Sequence, residues 1–450
     1  MRGERVREKV GHLQEVAAGG TVGDARSLRG APFDLRSGGR TRLVAAVDVP
    51  RSVTVGRVDP VPAPVRARDL GVLIGTGRPG PLNAITDVAG VRVGHVTLVV
   101  GNGPLRIGEG PVRTGVTVVV PCEDVGGRML FAGCHRLNGN GELTGLEWVR
   151  ESGLLTSPVA ITNTHSVGVV RDALVAEALR ARSADGPAWS LPVVGETWDG
   201  LLNDVDGMHV RPEHVSEALR SASDGPVAEG NVGGGTGMVC HQFKGGIGTS
   251  SRVVGPAGAA WTVGVLVQAN YGRRERLRID GAPVGREIPV TDVPAPDAGG
   301  RRPGAGSIIV VVATDAPLLP HQCERLAQRA GLGVGRVGGV GANSSGDLFI
   351  AFATGNARVP LPAPPETAQG APVTTVDMLG DEATTALFEG VVDATEEAIV
   401  NALVAARTMT GRDGITAHAL PHDRVDACLR AYGRNGVPVP RTAANRRDEP

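Results

Sequence analysis

Four short segments carry the residue types from which acyl-transfer chemistry is made. The stretch PGAGSIIVVVATDAPL places Ser307 where a Pro/Gly-rich loop meets a run of β-branched residues. In GGVGANSSGDLFIAF a glycine-rich backbone presents Ser344, Ser345 and Asp347 just before another apolar run. VLVQANYGRRE ends a third such run on Asn270 and Tyr271, and PVVGETWDGLLND sets Glu196 and Trp198 in a turn bounded by glycines. Together they supply a hydroxyl nucleophile, a hydroxyl–carboxylate relay, an amide that can donate to an oxyanion and a carboxylate that can receive a substrate ammonium. Singly, each has a plainer reading: Ser-Ser-Gly-Asp is the vocabulary of a turn, and small polar residues are common at strand ends.

Other motifs carry less. GTGRPG (Gly75, Gly77, Gly80) and GVGRVG (Gly333, Gly335, Gly338) match GxGxxG to the letter. The dinucleotide fingerprint needs a strand before it and a helix N-terminus after it. The first match contains Pro79 and leads into PLNAITDVAG, and the second follows a helical pattern and runs toward a strand. Among 66 glycines such matches arise by chance. Neither GxSxG nor HExxH occurs, and the ten histidines are dispersed. His135 and His165, in Gly/Asn-rich turns, read as structural hydrogen-bonders.

The elements that must position these groups are strands and helices in alternation. The β-branched runs 114–121, 157–164, 261–268, 307–314 and 347–354, bounded by turn residues, predict strands. RPEHVSEALRSA predicts a helix with Pro212 in its first turn and Val215, Ala218, Leu219 and Ala222 on one face. PHQCERLAQRAG predicts another, with Cys323, Leu326, Ala327 and Ala330 inward and Gly331 as its stop. The longest predicted helix runs from Asp381 to Thr408, with Leu387, Val391, Ala398 and Leu403 on a wide apolar face. Strands mixed with helices, several in hairpin-like order, point to a layered α/β fold rather than a strict βαβ array. Two long loops, 289–306 and 360–372, stand out, the first directly before Ser307.

Composition bounds the partners. The 450 residues hold 46 Lys plus Arg against 47 Asp plus Glu, so no electrostatic case exists for nucleic acid or a membrane surface. Five scattered cysteines without a CxxC pair argue against a disulfide framework or structural zinc. The charged N-terminus MRGERVREKVGHLQ and the lack of a long apolar run make a cytoplasmic protein the expectation. Residues 1–65, rich in Arg, Gly and Pro and closed by VDPVPAPVRARD, read as an N-terminal extension, with 66–450 as a single catalytic domain.

The segment GSIIVVVATDAPLLPHQCERLAQRAGLGVGRVGGVGANSSGDLFIAFATGN strongly resembles the L-aminopeptidase/D-esterase family, which includes the β-peptidyl aminopeptidases. So do GTGRPGPLNAITDVAGVRVGHVTL, LNGNGELTGLEWVRESGLL, PVVGETWDGLLND and EGNVGGGTGM, and the likeness runs from about Arg66 to about Gly433. The resemblance implies an αββα sandwich, similar in layering to N-terminal-nucleophile hydrolases but differently connected. It also implies a chain that cuts itself between Gly306 and Ser307 into fragments of 306 and 144 residues. By the same resemblance Ser307 is the nucleophile, Ser345 and Asp347 assist it, Asn270 stabilises the oxyanion, and Glu196 holds the substrate's free amino group. No cofactor or metal is implied. The implied partners are short peptides, amides or esters, and the implied assembly is a homo-oligomer, a tetramer of cleaved pairs.

One position departs from the pattern. Where some members carry a tyrosine two residues after the glutamate, this chain has Trp198, whose indole N–H donates a hydrogen bond but relays no proton. Either Asn270 and backbone N–H groups then carry the oxyanion, or Trp198 reshapes the acyl pocket. Physical chemistry is consistent with the implied self-cleavage. Gly306 lacks a side chain beside the scissile carbonyl, and a freed Ser307 α-amine, with an ordinary pKa near 7.7–8.0, can act as base to its own hydroxyl. The expected function is a self-processing serine aminopeptidase or amidase. The competitors are an acyltransferase like the ornithine acetyltransferases, whose nucleophile is threonine, and a catalytically weakened scaffold, for which Trp198 is the warning sign.

Overall fold

The computed structural model describes residues 65–125, 127–181, 189–255, 260–296, 306–357, 359 and 373–434. The extension up to residue 64, most of the loop before Gly306 and the loop 360–372 lie outside the described residues.

Among the described residues, nine strands build two sheets. A four-stranded sheet has the order β1–β2–β4–β5, formed by Arg92–Val100, Val112–Val120, Val159–Asn163 and Val193–Thr197. A five-stranded sheet has the order β3–β11–β10–β9–β8, formed by Phe131–Gly139, Ser345–Ala353, Gly306–Thr314, Trp261–Asn270 and Gly246–Val254. Short hairpins, β6–β7 (Val239–Cys240, Phe243–Lys244) and β12–β13 (Met409–Thr410, Thr416–Ala417), lie outside the sheets. The helices are α1 (Leu146–Ser152), α2 (Val167–Ala181), α3 (Pro212–Arg220), α4 (Val284–Glu287), α5 (Pro320–Arg336), α6 (Asp381–Val404) and α7 (His422–Ala431).

Strand alternation explains the layers. Along β10, Ile309, Val311 and Ala313 enter one core with Leu348, Ile350 and Phe352 of β11 and with Val159, Ile161 and Val193 of the other sheet. The intervening Ile308, Val310 and Val312 join Leu326, Ala330, Val391 and Ala398 of α5 and α6. A third core, from Val116, Val118 and Ala160 to Val170, Leu174 and Val215, seats α2 and α3 on the outer face of the smaller sheet. The result is the expected αββα sandwich, in which a strand buried on both faces reads as a continuous apolar run.

The strands shift by one or two residues at their ends, and the ends of α5 and α6 differ further from the sequence reading. Helix α5 passes Gly331 and ends at Arg336, because Gly333 lies against α6, where a Cβ would come within 2.6 Å of Thr395. Absence of a side chain there permits helix–helix contact, and tertiary packing overrides the stop signal. Of the second GxGxxG, Gly333 and Gly335 thus lie inside α5, and Gly333 serves as packing surface. Helix α6 stops at Val404, four residues short of the predicted end.

Candidate active site

Four polar strand ends converge at one edge of the five-stranded sheet. Strand β10 pairs antiparallel with β9 and parallel with β11, which sets Ser307 between Asn270 on one side and Gly346 on the other. Gly306 lies opposite Ser345, and Ile308 opposite Asp347. Strand β3 ends on β11's far side, pairing Asn138 with Asp347 and Gly139 with Gly346. The start of β10 is therefore ringed by the ends of β9 and β3 and the start of β11.

The pleat sorts these side chains. Ser307 shares its face with Ile309, hence with the space between the sheets, and Asn270 and Gln268 of β9 share that face through their register with Ser307 and Ile309. Ser345 and Asp347 fall on the opposite, helix-side face, with Gly306 and Ile308. The Ser345 hydroxyl donates to Asp347 Oδ1 at 2.6 Å. This pair thus flanks the Gly306–Ser307 peptide bond rather than sharing Ser307's face. Burial pushes the Asp347 carboxyl up to about 6, opposed by the bond from Ser345.

Asn270 is held at both ends of its amide. Its Oδ1 accepts from the Val239 N–H at 2.8 Å, and its Nδ2 donates to the Trp198 carbonyl at 2.9 Å. An amide nitrogen has two hydrogens, so the bond to Trp198 leaves a second donor on Nδ2. One turn back on β9, Gln268 Nε2 bridges the sheets to the Thr162 carbonyl at 2.9 Å and Thr197 Oγ1 at 2.8 Å.

Glu196, at the end of β5, reaches the same region from the smaller sheet. Its Oε1 accepts from the Glu142 N–H at 3.1 Å, and its Oε2 accepts from the Thr164 hydroxyl. A Cβ on Gly141 would lie 2.9 Å from Glu196 Oε1 and 3.2 Å from the Cα of Gly346, the cross-strand neighbour of Ser307. A glycine at 141 is what lets the carboxylate come this near the strand ends. Burial raises the Glu196 pKa, while Thr164 and the Glu142 N–H favour the charged form.

Trp198 is 36% exposed beside this cluster, and its indole packs over Gly200. His165 pairs with Asp206 and lies near enough to Glu196 to favour its charged form, while His135 lies against Phe349. Several partners were not singled out from the sequence: Thr164, the Glu142 N–H, the Val239 N–H, Asn138 and Asn140. Asn138 Nδ2 donates to the carbonyls of Ala342 and Ser345, each at 2.6 Å, and Asn140 Nδ2 to that of Ser344 at 2.8 Å, fixing the turn that delivers Ser345. The repeated Asn-Gly of LNGNGE was the available signal for the last two. Among the described residues no group of His, Cys, Asp and Glu is arranged to hold a metal, and no helix is long and apolar enough to cross a membrane.

Comparison with known proteins identifies the family. The model of peptidase family S58 matches residues 83–417. The chain is 52% identical over 377 residues to a β-peptidyl aminopeptidase, BapA, of Sphingosinicella microcystinivorans, covering 82% of this chain and 93% of that protein. Among solved structures, a Burkholderia sp. β-aminopeptidase superposes with a TM-score of 0.75 at 55% identity, over 82% of this chain and 99% of that one. The L-aminopeptidase D-Ala-esterase/amidase of Ochrobactrum anthropi, a prototype for the serine aminopeptidases and a variant of the Ntn hydrolase fold, gives a TM-score of 0.72 at 44% identity, over 82% and 99%. The chain belongs to peptidase family S58 and is a peptide-bond hydrolase, a serine aminopeptidase.

Proposed function

We propose that Ser307 is the nucleophile, that the chain cuts itself between Gly306 and Ser307 to give 1–306 and 307–450, and that the cut enzyme releases the N-terminal residue of short peptides, amides or esters. The observation that carries the reading is the cross-strand pairing of Ser307 with Asn270, whose amide keeps a donor beyond its bond to Trp198.

In the first reaction Ser307 Oγ adds to the Gly306 carbonyl carbon, the C–N bond breaks, and the acyl group passes to oxygen as the nitrogen takes a proton. Water then hydrolyses the ester, leaving a Gly306 carboxylate and a free Ser307 amine. The Ser345–Asp347 pair, beside the scissile bond, is suited to moving the proton at that nitrogen. In the second reaction the Ser307 amine takes the proton of its own hydroxyl as Oγ attacks a substrate carbonyl. The oxyanion receives the remaining Asn270 Nδ2–H, the leaving amine departs protonated, and water releases the acyl group. Glu196 pairs with the substrate's free ammonium, which restricts the enzyme to chain ends. Trp198 borders the acyl group and limits its size.

The β-peptidyl aminopeptidases among the relatives favour an N-terminal β-amino acid as the released residue. A cytoplasmic location, a separate extension over residues 1–65 and a tetramer of cleaved pairs belong to the same reading. The test is intact mass under denaturing conditions for wild type and Ser307→Ala, followed by turnover of β-alanyl and L-alanyl p-nitroanilides. Two fragments in the wild type, the smaller beginning at Ser307, with an uncut and inactive variant, is the expected result. A Ser307→Ala chain that still cuts or still turns over substrate overturns the assignment.

A further inference from the structure

Of the 46 basic residues only two are lysines, Lys9 and Lys244; the other 44 are arginines. Lys244, in β7, is completely buried. Its Nζ donates to three backbone carbonyls, those of Met238 and Gly245 at 2.8 Å each and that of Gly235 at 3.3 Å. Three N–H bonds meeting three carbonyls is the geometry of a compact ammonium, which the planar fork of arginine does not reproduce. At this buried position the chain carries the side chain that fits three converging carbonyls.

Two of the three carbonyls, those of Gly235 and Met238, belong to a segment with little stiffness of its own, GGGTGM (233–238), threaded between the sheets; the third is that of Gly245, the next residue after the lysine. A Cβ on Gly234 would come within 2.2 Å of Gln268 Oε1, and one on Gly237 within 2.3 Å of the Arg113 carbonyl. The Met238–Val239 peptide links the lysine to the active site. Its carbonyl oxygen accepts from Lys244 Nζ, and its N–H donates to Asn270 Oδ1 at 2.8 Å. A peptide group is planar and rigid, so fixing its oxygen fixes its N–H. Hydrogen bonds in series also polarise one another. Burial pulls the Lys244 pKa down to about 7, while three N–H bonds to three carbonyls are what only the protonated amine can make. In that form Nζ draws electrons toward the Met238 oxygen, sharpening the Val239 N–H, which in turn draws electrons toward Asn270 Oδ1 and makes Nδ2–H the stronger donor.

We propose that Lys244 is a positioning residue for the reaction at Ser307: through the Met238–Val239 peptide it aims and polarises the Asn270 amide that receives the oxyanion. The proposal rests on the reading of Asn270 given above and adds the charged group behind it.

The test is a double-mutant cycle on β-alanyl p-nitroanilide with wild type, Lys244→Met, Asn270→Ala and the double variant, rates being taken per cleaved chain as counted by intact mass. Asn270→Ala should lower kcat by about 100- to 1000-fold, as loss of an oxyanion donor does. Lys244→Met should lower kcat by about 10- to 100-fold with KM within about threefold, because the donor is misaimed but present. In the Asn270→Ala background it should change nothing further. A normal kcat in Lys244→Met, or a loss that multiplies in the double variant, overturns the inference. A normal kcat in Asn270→Ala overturns instead the oxyanion reading beneath it. Should Lys244→Met not fold, the wild type labelled with 15N-lysine gives only two side-chain signals. That of Lys244 should shift when an aminoalkyl boronic acid adds to Ser307, and should not shift in Asn270→Ala; no shift in the wild type decides against the inference.

Discussion

The same burial that silences one carboxylate in this molecule leaves two others open to chemistry. Between β8, α6 and the turn at residues 66–70, Glu397 accepts from Arg68 Nε at 2.8 Å and Nη2 at 2.9 Å, from Arg252 Nη2 at 2.6 Å and from Asn83 Nδ2 at 2.5 Å. Arg252, fully buried, spends its other contacts on the Ile74 and Ser251 carbonyls and Ser250 Oγ. Burial alone would raise the Glu397 pKa, but Arg252 and Arg68 overcome it and hold the group low. At the start of β10, among the described residues, Asp347 accepts from Ser345, and Glu196 from Thr164 and the Glu142 N–H. No arginine offsets burial at either, and both are raised. Burial makes a carboxylate costly; the number of its lone pairs left without a donor decides whether it can still take a proton or an ammonium.

The largest effect expected from this contrast is on stability. Glu397→Ala strands Arg252 as an unpaired buried charge, which costs about 3–5 kcal/mol. Urea unfolding should show this loss, while kcat of the folded fraction stays near wild type. A matching fall in kcat would join the two clusters into one and break the comparison. Glu196→Gln is the converse. Removing a raised, buried charge leaves stability level or higher, but kcat/KM for substrates with a free amine should drop about 100-fold, the scale of a lost charged contact. Equal loss on an N-acetylated substrate would mean that Glu196 does not read the amine.

A substitution at the cut site comes next. A Cβ at Gly306 would lie 2.3 Å from the Asn270 carbonyl oxygen and 2.7 Å from the Tyr271 Cα. Backbone atoms on the paired strand cannot swing aside, so Gly306→Val should displace the scissile carbonyl and slow self-cleavage by about 100-fold, the scale of a misplacement near 1 Å. Intact mass against time after expression measures it. Cleavage at the wild-type rate would show that the strand pairing seen here is not the geometry in which the bond breaks.

These expectations also mark what was legible in the sequence. Strands β10 and β11 were visible because burial on both faces leaves unbroken β-branched runs, and Ser307, Ser345 and Asp347 were visible as the polar breaks at their starts. Strand β8 was not. Its GIGTSSRVV was not among the predicted strands, because its buried Thr249, Ser251 and Arg252 side chains are completed by the Ile85 N–H, Asp87 and Glu397 from distant segments. Glu142 was hidden for a related reason: it serves through its backbone N–H, which every residue but proline has. Lys244 lay in plain view as one of two lysines, but its role needs the positions of three carbonyls. Residue type reports chemistry where a side chain acts alone, and fails where backbone or a remote segment completes it.

Asp347 gives the comparison its pH dependence. With the carboxyl raised from 3.8 to about 6, the folded chain between those values keeps a proton that the unfolded chain has lost. Stability therefore falls as pH rises across that window, and the penalty is fully present above it. The rate of self-cleavage moves oppositely, rising through pH about 6 as the carboxylate forms and can accept from Ser345. Asp347→Asn should flatten both curves, raising the urea midpoint at pH 7 while leaving it nearly unchanged at pH 4, and removing the limb near pH 6 from the cleavage profile. Glu397→Gln should leave that limb in place. A limb that survives Asp347→Asn would show that Asp347 is not the group whose ionisation sets the cleavage rate.

The smallest effect is expected at Trp198. Its backbone carbonyl, not its indole, holds Asn270 Nδ2, so Trp198→Tyr preserves that hydrogen bond. A phenol restores a group able to donate to the oxyanion but is smaller than the indole that packs over Gly200. A third exposed, the Trp198 side chain borders the site. With the Asn270 amide intact, kcat on β-alanyl p-nitroanilide should change by less than about threefold, since a donor added where one already serves supplies little of the 2.7–4 kcal/mol typical of a sole oxyanion contact. The visible change should be in KM for bulkier acyl groups, which gain room as the ring shrinks. A rise in kcat of about 100-fold in Trp198→Tyr would mean that the site as it stands lacks a donor, and that Asn270 alone does not suffice.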